Sequence, residues 1–199
     1  MFGIETVTTN PKNPKGPLSA TSSRIACICL IIDDGNHITD ACLTGSCEAR
    51  ILADFWDQIH PNDVFIGRSI PEFDLSFVRQ RSFVNGVKPK RDIDLRRFYS
   101  HDVIDVMDLG PTRGTTVKLS PDDLANVFGL AGKTRKAHMV AEWWTEGNLD
   151  SIEDSCREDV HLTFQTFLRL TFQPLPARYH AVPIAEEVQN MESPIRSRD

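Results

Sequence analysis

No stretch of this sequence approaches the roughly 18–20 consecutive apolar residues that a membrane-spanning helix needs, and no signal-peptide pattern precedes the first apolar run. The expectation is a cytoplasmic protein with no membrane partner. A basic excess is lacking too. Lysine and arginine number 22 against 28 aspartates and glutamates, for a net charge of −6, and the pI is about 5.5. This excludes a protein held to nucleic acid by a broad basic surface, for which a pI above about 9 is usual. It leaves room for an enzyme that grips a few phosphates locally. The five cysteines contain no CxxC pair. Cys27 and Cys29 share a face of a predicted strand and Cys156 lies in a predicted helix, so buried reduced thiols are expected instead of a metal or redox site. Internal repeats are missing, and so is a complete P-loop. "GLAGKT" ends like G-x-x-x-x-G-K-[ST], but the first glycine falls on Val127, and the segment follows a helix end instead of a strand.

What is present fits one domain with a sizeable core: 199 residues, 40% of them hydrophobic and 25% charged. "MFGIET" reads as a strand with Phe2 and Ile4 on the core face and Gly3 and Glu5 on the other. A Pro-, Asn- and Ser-rich loop follows. "RIACICLIID", the turn "DDGN" and "HITDACL" then form a hairpin. Glu48 to His60 carries Ile51, Leu52, Phe55, Trp56 and Ile59 at helical spacing. "DVFIG" is a short buried strand, Phe73 to Phe83 a helix, "VIDVMDL" a strand or strand–helix edge, and "GPTRGTT" a loop. Ser120, Pro121 and Asp123 open a helix with a near capping box. "AHMVAEWW" is a short helix, and the longest runs from Asn148 to about Thr171. The order predicts an α/β fold, an antiparallel hairpin plus later parallel strands. Residues 1–172 are expected to form the domain and 173–199 a Pro-rich extension.

Three acids stand at odds with a bland reading. Glu5 sits on the first, apolar strand, Asp74 in the first turn of a helix entered from "VFIG", and Asp159 beside the apolar stripe of the last helix. Taken singly, Asp74 merely favours a helix N-terminus and the Glu158–Asp159 pair a solvated edge. The case rests on the combination.

That combination resembles the DEDD 3′–5′ exonuclease superfamily, with its ribonuclease H-like fold, and within it the stand-alone proteins related to the proofreading exonuclease domain of family-B DNA polymerases. "FGIET" is similar to a first motif written F-D-I-E-T, "FIGRSIPEFDLSFVRQR" to the second, and "SIEDSCREDVHLT" to a third, Y-C-x-x-D-V. "LSPDDLANVFGLAGK" falls between them in the expected order. The resemblance implies a central mixed sheet flanked by helices, with Glu5, Asp74 and Asp159 as ligands of Mg²⁺ or Mn²⁺. Hard cations prefer carboxylate oxygens, and two of them can activate water and stabilise the leaving oxygen in an attack on phosphorus. Without a cation, each pair of carboxylates about 4 Å apart costs roughly 4 kcal/mol at an effective dielectric of 20.

Two positions depart from the pattern. Gly3 stands where the first-motif aspartate would bridge both ions, and Ser155 where the third-motif tyrosine would orient water. Ser155 shares Asp159's face by i,i+4 spacing and is carried as a catalytic candidate with a shorter reach. A single-ion site, a substrate-dependent second ion and an inactive relative are the three outcomes left open. The few residues ahead of Glu5 lead to the expectation of a start upstream of Met1, which would not restore position 3. Substrate-contact candidates are Thr6, Arg68 and Phe73, together with Lys133, Arg135 and Lys136 of "GKTRKAH". Phe73 offers a stacking face for a terminal base, against the alternative of core packing. Asp105 is expected to be structural. The implied activity is a metal-dependent 3′–5′ exonuclease on single-stranded DNA, or RNA, ends. The alternatives are an impaired relative that binds nucleic-acid ends or a protein, and a ribonuclease H-like endonuclease.

Overall fold

A computed structural model of the chain describes residues 1–9, 18–96, 101–109, 119–135 and 137–176. The expected loops around residues 10–17 and 110–118, Lys136, and the extension from residue 177 lie outside the described residues.

Strand β1 (Phe2–Thr8) pairs antiparallel with β2 (Ser23–Asp33), which pairs antiparallel with β3 (Ile38–Thr44). Helix α1 (Glu48–Gln58) leads to β4 (Phe65–Gly67) and α2 (Asp74–Val84). β5 (Val103–Asp105) pairs parallel with β4 and runs directly into α3 (Val106–Leu109). α4 (Pro121–Phe128), a 3-10 turn (Ala137–Met139), α5 (Val140–Glu146) and α6 (Leu149–Leu170) complete the order. The expected mixed α/β architecture is found, with hydrogen bonding divided into an antiparallel and a parallel ladder that neighbour each other at β1 and β4.

The apolar pattern explains the layering. β2 is buried on both faces. On one side, Phe2, Ile28 and Leu30 pack with α1 and α2 through Leu52, Phe55, Leu75 and Val78. On the other, Cys27, Cys29 and Ile31 meet the α6 stripe of Ile152, Cys156, Val160, Phe164 and Leu168. Directly opposed residues of an antiparallel pair share a face. Gly3 opposite Cys29 and Glu5 opposite Cys27 are therefore turned toward α6, while Phe2 sits against the rings of Phe55 and Phe65. The register shifts between Glu5 and Thr6, a bulge of the kind that re-aims a side chain beside a site.

Polar anchors fix the helices. Glu48, buried at the start of α1, accepts from the Ile25 amide of β2 at 2.7 Å, from Arg81 of α2 at 2.6 and 2.9 Å, and from Asn85 at 2.9 Å. The capping box of Ser120 and Asp123 forms as the sequence predicts, with Gly129 closing α4 at φ 60°. The "AHMVAEWW" helix divides into the 3-10 turn and α5.

The cysteine expectation needs correction. Cys29 and Cys42 form a disulfide across the β2–β3 hairpin, with their Cα atoms 4.1 Å apart, and Cys47 is exposed; only Cys27 and Cys156 are buried free thiols. The physical reason is register: a hairpin that pairs Asp33 with Ile38 also sets Cys29 opposite Cys42.

Candidate active site

Where β1, the β4–α2 loop and α6 meet, a cavity of about 370 Å³ opens to solvent. That is within the roughly 300–1,000 Å³ range of ligand pockets. Asp74 and Asp159 both line it, with Gly3 and Val160 between β1 and α6 and with Arg68, Phe73 and Lys133 around them. Asp74 reaches its place because β4 ends at Gly67 and the chain turns sharply into α2. Ser69 takes a left-handed conformation there, φ 53°, an uncommon state for a non-glycine residue that tends to cluster at functional sites. Asp105, buried at the end of β5, holds the turn by accepting from the Ser69 amide at 2.9 Å and the Met107 amide at 3.0 Å. It is a structural brace, as the sequence suggests. Asp74 itself accepts from the Ile4 amide at 3.2 Å, tying the start of α2 to β1.

Glu5 lies behind this cavity, buried beneath α6, and Ser155 donates to its Oε1 at 2.9 Å. Ser155 is 0% exposed. It therefore positions Glu5 and does not share the open face with Asp159, contrary to the expectation from i,i+4 spacing. A short hydroxyl at this buried point finds the neighbouring strand before it finds the cavity.

Asp159 is the electrostatic hub. Burial pushes the Glu5 carboxyl up to about 7, helped by the Asp159 charge and opposed by Lys133 and Ser155. Burial likewise pushes Asp74 up to about 8, with Asp159 and Asp105 adding to the effect and the Ile4 amide opposing it. Asp159 is also raised by burial, against the pull of Lys133 and Arg68. These three carboxylates do not all lie within 4.8 Å of one another. Among the described residues, the group that meets that distance is Cys27, Cys29 and Cys156, and Cys29 is already bonded to Cys42.

The cations divide into two kinds. Lys133 donates to Asp159 Oδ2 at 2.5 Å, with its side chain only 9% exposed. Arg68 donates to the Leu119 carbonyl at 2.8 Å, while its buried Nε has no hydrogen-bond partner among the described residues. Arg135, by contrast, is engaged away from the cavity. Its guanidinium pairs with Asp154 at 2.7 Å and Glu158 at 3.0 Å, and Glu158 also accepts from the Thr134 and Arg135 amides. These bonds fasten the 133–135 segment onto α6 and aim Lys133 at Asp159. The expected phosphate contact by Arg135 gives way to this anchoring, and Lys136 lies outside the described residues. Thr6 is on β1 beyond the bulge and is not among the residues lining the cavity. Phe73 lines it while its ring also packs 5.5 Å from the ring of Phe77, the contact that the core reading expects.

Residues 18–198 match the family described as predicted 3′–5′ exonucleases related to the exonuclease domain of PolB. The chain belongs to that family. The match to these exonuclease relatives begins after β1, so Glu5 and Gly3 lie outside it. No curated protein matches by sequence. Among solved structures, the chain is similar to a family B DNA polymerase from the hyperthermophilic archaeon Pyrobaculum calidifontis, at 16% identity and a TM-score of 0.65. The likeness covers 85% of this chain and only 24% of the polymerase, so it carries the fold alone. The ribonuclease H-like α/β expectation agrees with it. No described helix is long and apolar enough to cross a membrane.

For this member of the exonuclease family, the structure also gives a physical account of Gly3. A Cβ placed there would stand 3.1 Å from Val160 Cγ2. Val160 is buried and β-branched, so its rotamer in a helix is nearly fixed. A side chain at position 3 would therefore press on α6 at Val160 before reaching the cavity that Gly3 lines. Nothing in the sequence marks Val160 or the left-handed Ser69 as part of the site, because both matter through contacts between distant segments.

Proposed function

We propose that this chain is a metal-dependent 3′–5′ exonuclease that hydrolyses phosphodiester bonds at the 3′ end of single-stranded DNA, or of RNA, releasing nucleoside 5′-monophosphates. The observation that carries the reading is the placement of Asp74 and Asp159 on the wall of one open cavity, with Asp159 coupled to the buried Glu5.

The donor set fits a hard divalent cation. The cavity presents carboxylate oxygens and no thiolate or imidazole, the choice that suits Mg²⁺ or Mn²⁺. Burial holds the Glu5, Asp74 and Asp159 carboxyls above their ordinary range, and a bound cation would offset the cost of ionising them there. Asp74 and Asp159 would hold the ion, with Glu5 contributing from beneath. When bound, such an ion supplies Lewis acidity at the scissile phosphate and a more acidic water. The chain's own residues do the rest. Ser155 fixes Glu5, the Ile4 amide orients Asp74, Arg68 and Lys133 offer positive charge to phosphate oxygens, and Phe73 gives a terminal base an aromatic face.

A second reading has its own support. Gly3 brings no fourth carboxylate and a Cβ there would press on Val160, and Ser155 is turned away from the cavity. This favours an impaired relative that binds nucleic-acid ends or a protein partner. A 5′-labelled single strand incubated with Mn²⁺ separates the readings. The exonuclease produces a ladder shortening from the 3′ end, lost in Asp74→Asn. Degradation only after Gly3→Asp, combined with Val160→Ala, assigns the natural chain to the binding class. Internal cuts point to an endonuclease.

A further inference from the structure

We propose that Cys27, Cys29, Cys42 and Cys156 form a four-thiolate site for Zn²⁺, open to the metal when the Cys29–Cys42 disulfide is reduced and closed to it when that bond forms. None of the four lines the acid cavity, so the site is independent of the chemistry there.

Strand and helix geometry bring these sulfurs together. Cys27 and Cys29 are two residues apart on β2 and share a face, with their sulfurs 3.7 Å from each other. Helix α6 delivers Cys156 to that face, and the sulfurs of Cys27, Cys29 and Cys156 all lie within 4.8 Å of one another. Register adds the fourth: Cys42 of β3 stands opposite Cys29, and their sulfurs are bonded. Tetrahedral Zn²⁺ with Zn–S bonds of about 2.3 Å sets its ligand sulfurs roughly 3.8 Å apart. Cys27 and Cys29 already have that spacing, Cys156 is a short movement from it, and Cys42 has only to draw back once its bond is broken. A buried free cysteine is usually a small apolar filler, and one alone would carry nothing. Here four converge from three elements. Cys27, Cys29 and Cys156 are each at most 1% exposed, while the fifth cysteine, Cys47, is exposed and not among them. Thiolates select Zn²⁺ or Cu⁺ over Mg²⁺ and Mn²⁺, and four of them make the closed ligand set of a structural zinc centre.

Opening the site takes two electrons from an external dithiol. Cys42 is half-buried and Cys29 fully buried, so Cys42 is the sulfur within reach. One thiolate of the dithiol bonds to Cys42 Sγ, the Cys29–Cys42 bond breaks, and Cys29 leaves with the electron pair. The second thiolate of the dithiol then attacks its own sulfur in the mixed disulfide and releases Cys42. The dithiol ends as a disulfide, and its two hydrogens end on Cys29 and Cys42. Zn²⁺ then displaces one proton from each of the four thiols, and the bound ion ties β2, β3 and α6 together.

The test reads the ligand atoms directly. The full chain is reduced with a phosphine, stripped of metal with a chelator, and loaded with Zn²⁺ or Co²⁺ in the absence of air, with excess Mg²⁺ present to occupy carboxylates. Zinc X-ray absorption of the reduced natural chain is expected to show a shell of four sulfurs at about 2.3 Å. Co²⁺ is expected to give the thiolate-to-metal charge-transfer band of a tetrahedral sulfur site. Both signals are lost when the Cys29–Cys42 bond is re-formed by oxidation and in the double variant Cys27→Ala, Cys156→Ala, whereas Cys47→Ala keeps them. A zinc shell dominated by nitrogen and oxygen, no ion retained by the reduced chain, or equal binding by the oxidised chain overturns the proposal. Thermal melts establish that the variants fold, and the absorption spectrum of the natural chain decides the ligand set even where the double variant does not.

Discussion

Glu5 and Asp74 fold with carboxyls held near 7 and 8, mainly by burial. The folded chain therefore keeps protons that the unfolded chain releases near pH 4. For groups raised in this way, their contribution to stability is complete below about pH 4 and is lost as pH rises through 7 to 8. In chelator, the melting temperature is expected to fall between pH 5 and pH 9, and the stabilisation given by Mn²⁺ to grow over the same window, because the ion binds the ionised carboxylates. A flat or rising profile in chelator would show that these acids are not desolvated as described. At this scale motif order singled out Glu5, Asp74 and Asp159 as candidates, and the fold sets Asp74 and Asp159 on one cavity wall with Glu5 behind it. Their partners were not legible. Ser155 meets Glu5 across 150 residues and Lys133 meets Asp159 across 26, contacts that depend on how α6 is rotated against β1.

The elements themselves followed from pattern: the capping box at Ser120, the α6 stripe and the hairpin turn each have local causes, and each forms. What joins the elements is less local. Glu48 reads in the sequence as the first residue of an amphipathic helix, yet it is the buried acceptor that links β2, α1 and α2. Glu48→Ala leaves Arg81 and the Ile25 amide without their acceptor, and by analogy with other broken buried pairs should cost about 3–5 kcal/mol in urea unfolding. A loss under about 1 kcal/mol would mark the network as peripheral. The β1–α6 contact gives a second measure. Gly3→Ala should destabilise by about 1–3 kcal/mol through overpacking against Val160, and Val160→Ala should offset part of that in the double variant. Simple additivity of the two losses would show that the residues do not press on one another.

The whole molecule joins two layers of core on either side of β2, and the open cavity lies where β1, the β4–α2 loop and α6 converge. The fold class was readable because strand and helix periods differ, and the Cys29–Cys42 link was hidden only until hairpin register was taken into account. The site was half readable. Its acids recur in order along the chain, whereas the closure of α6 onto Gly3 and the pinning of the 133–135 segment are products of packing. The proposed function depends on Asp159 acting with Asp74 and Glu5 on one phosphodiester. The most direct measurement is release of label from a 3′-terminally labelled single strand in Mn²⁺, by the natural chain and by Asp159→Asn, with the products identified by chromatography. The account predicts nucleoside 5′-monophosphate from the natural chain and none from the variant; an intact strand with the natural chain, or equal release by both proteins, would contradict it.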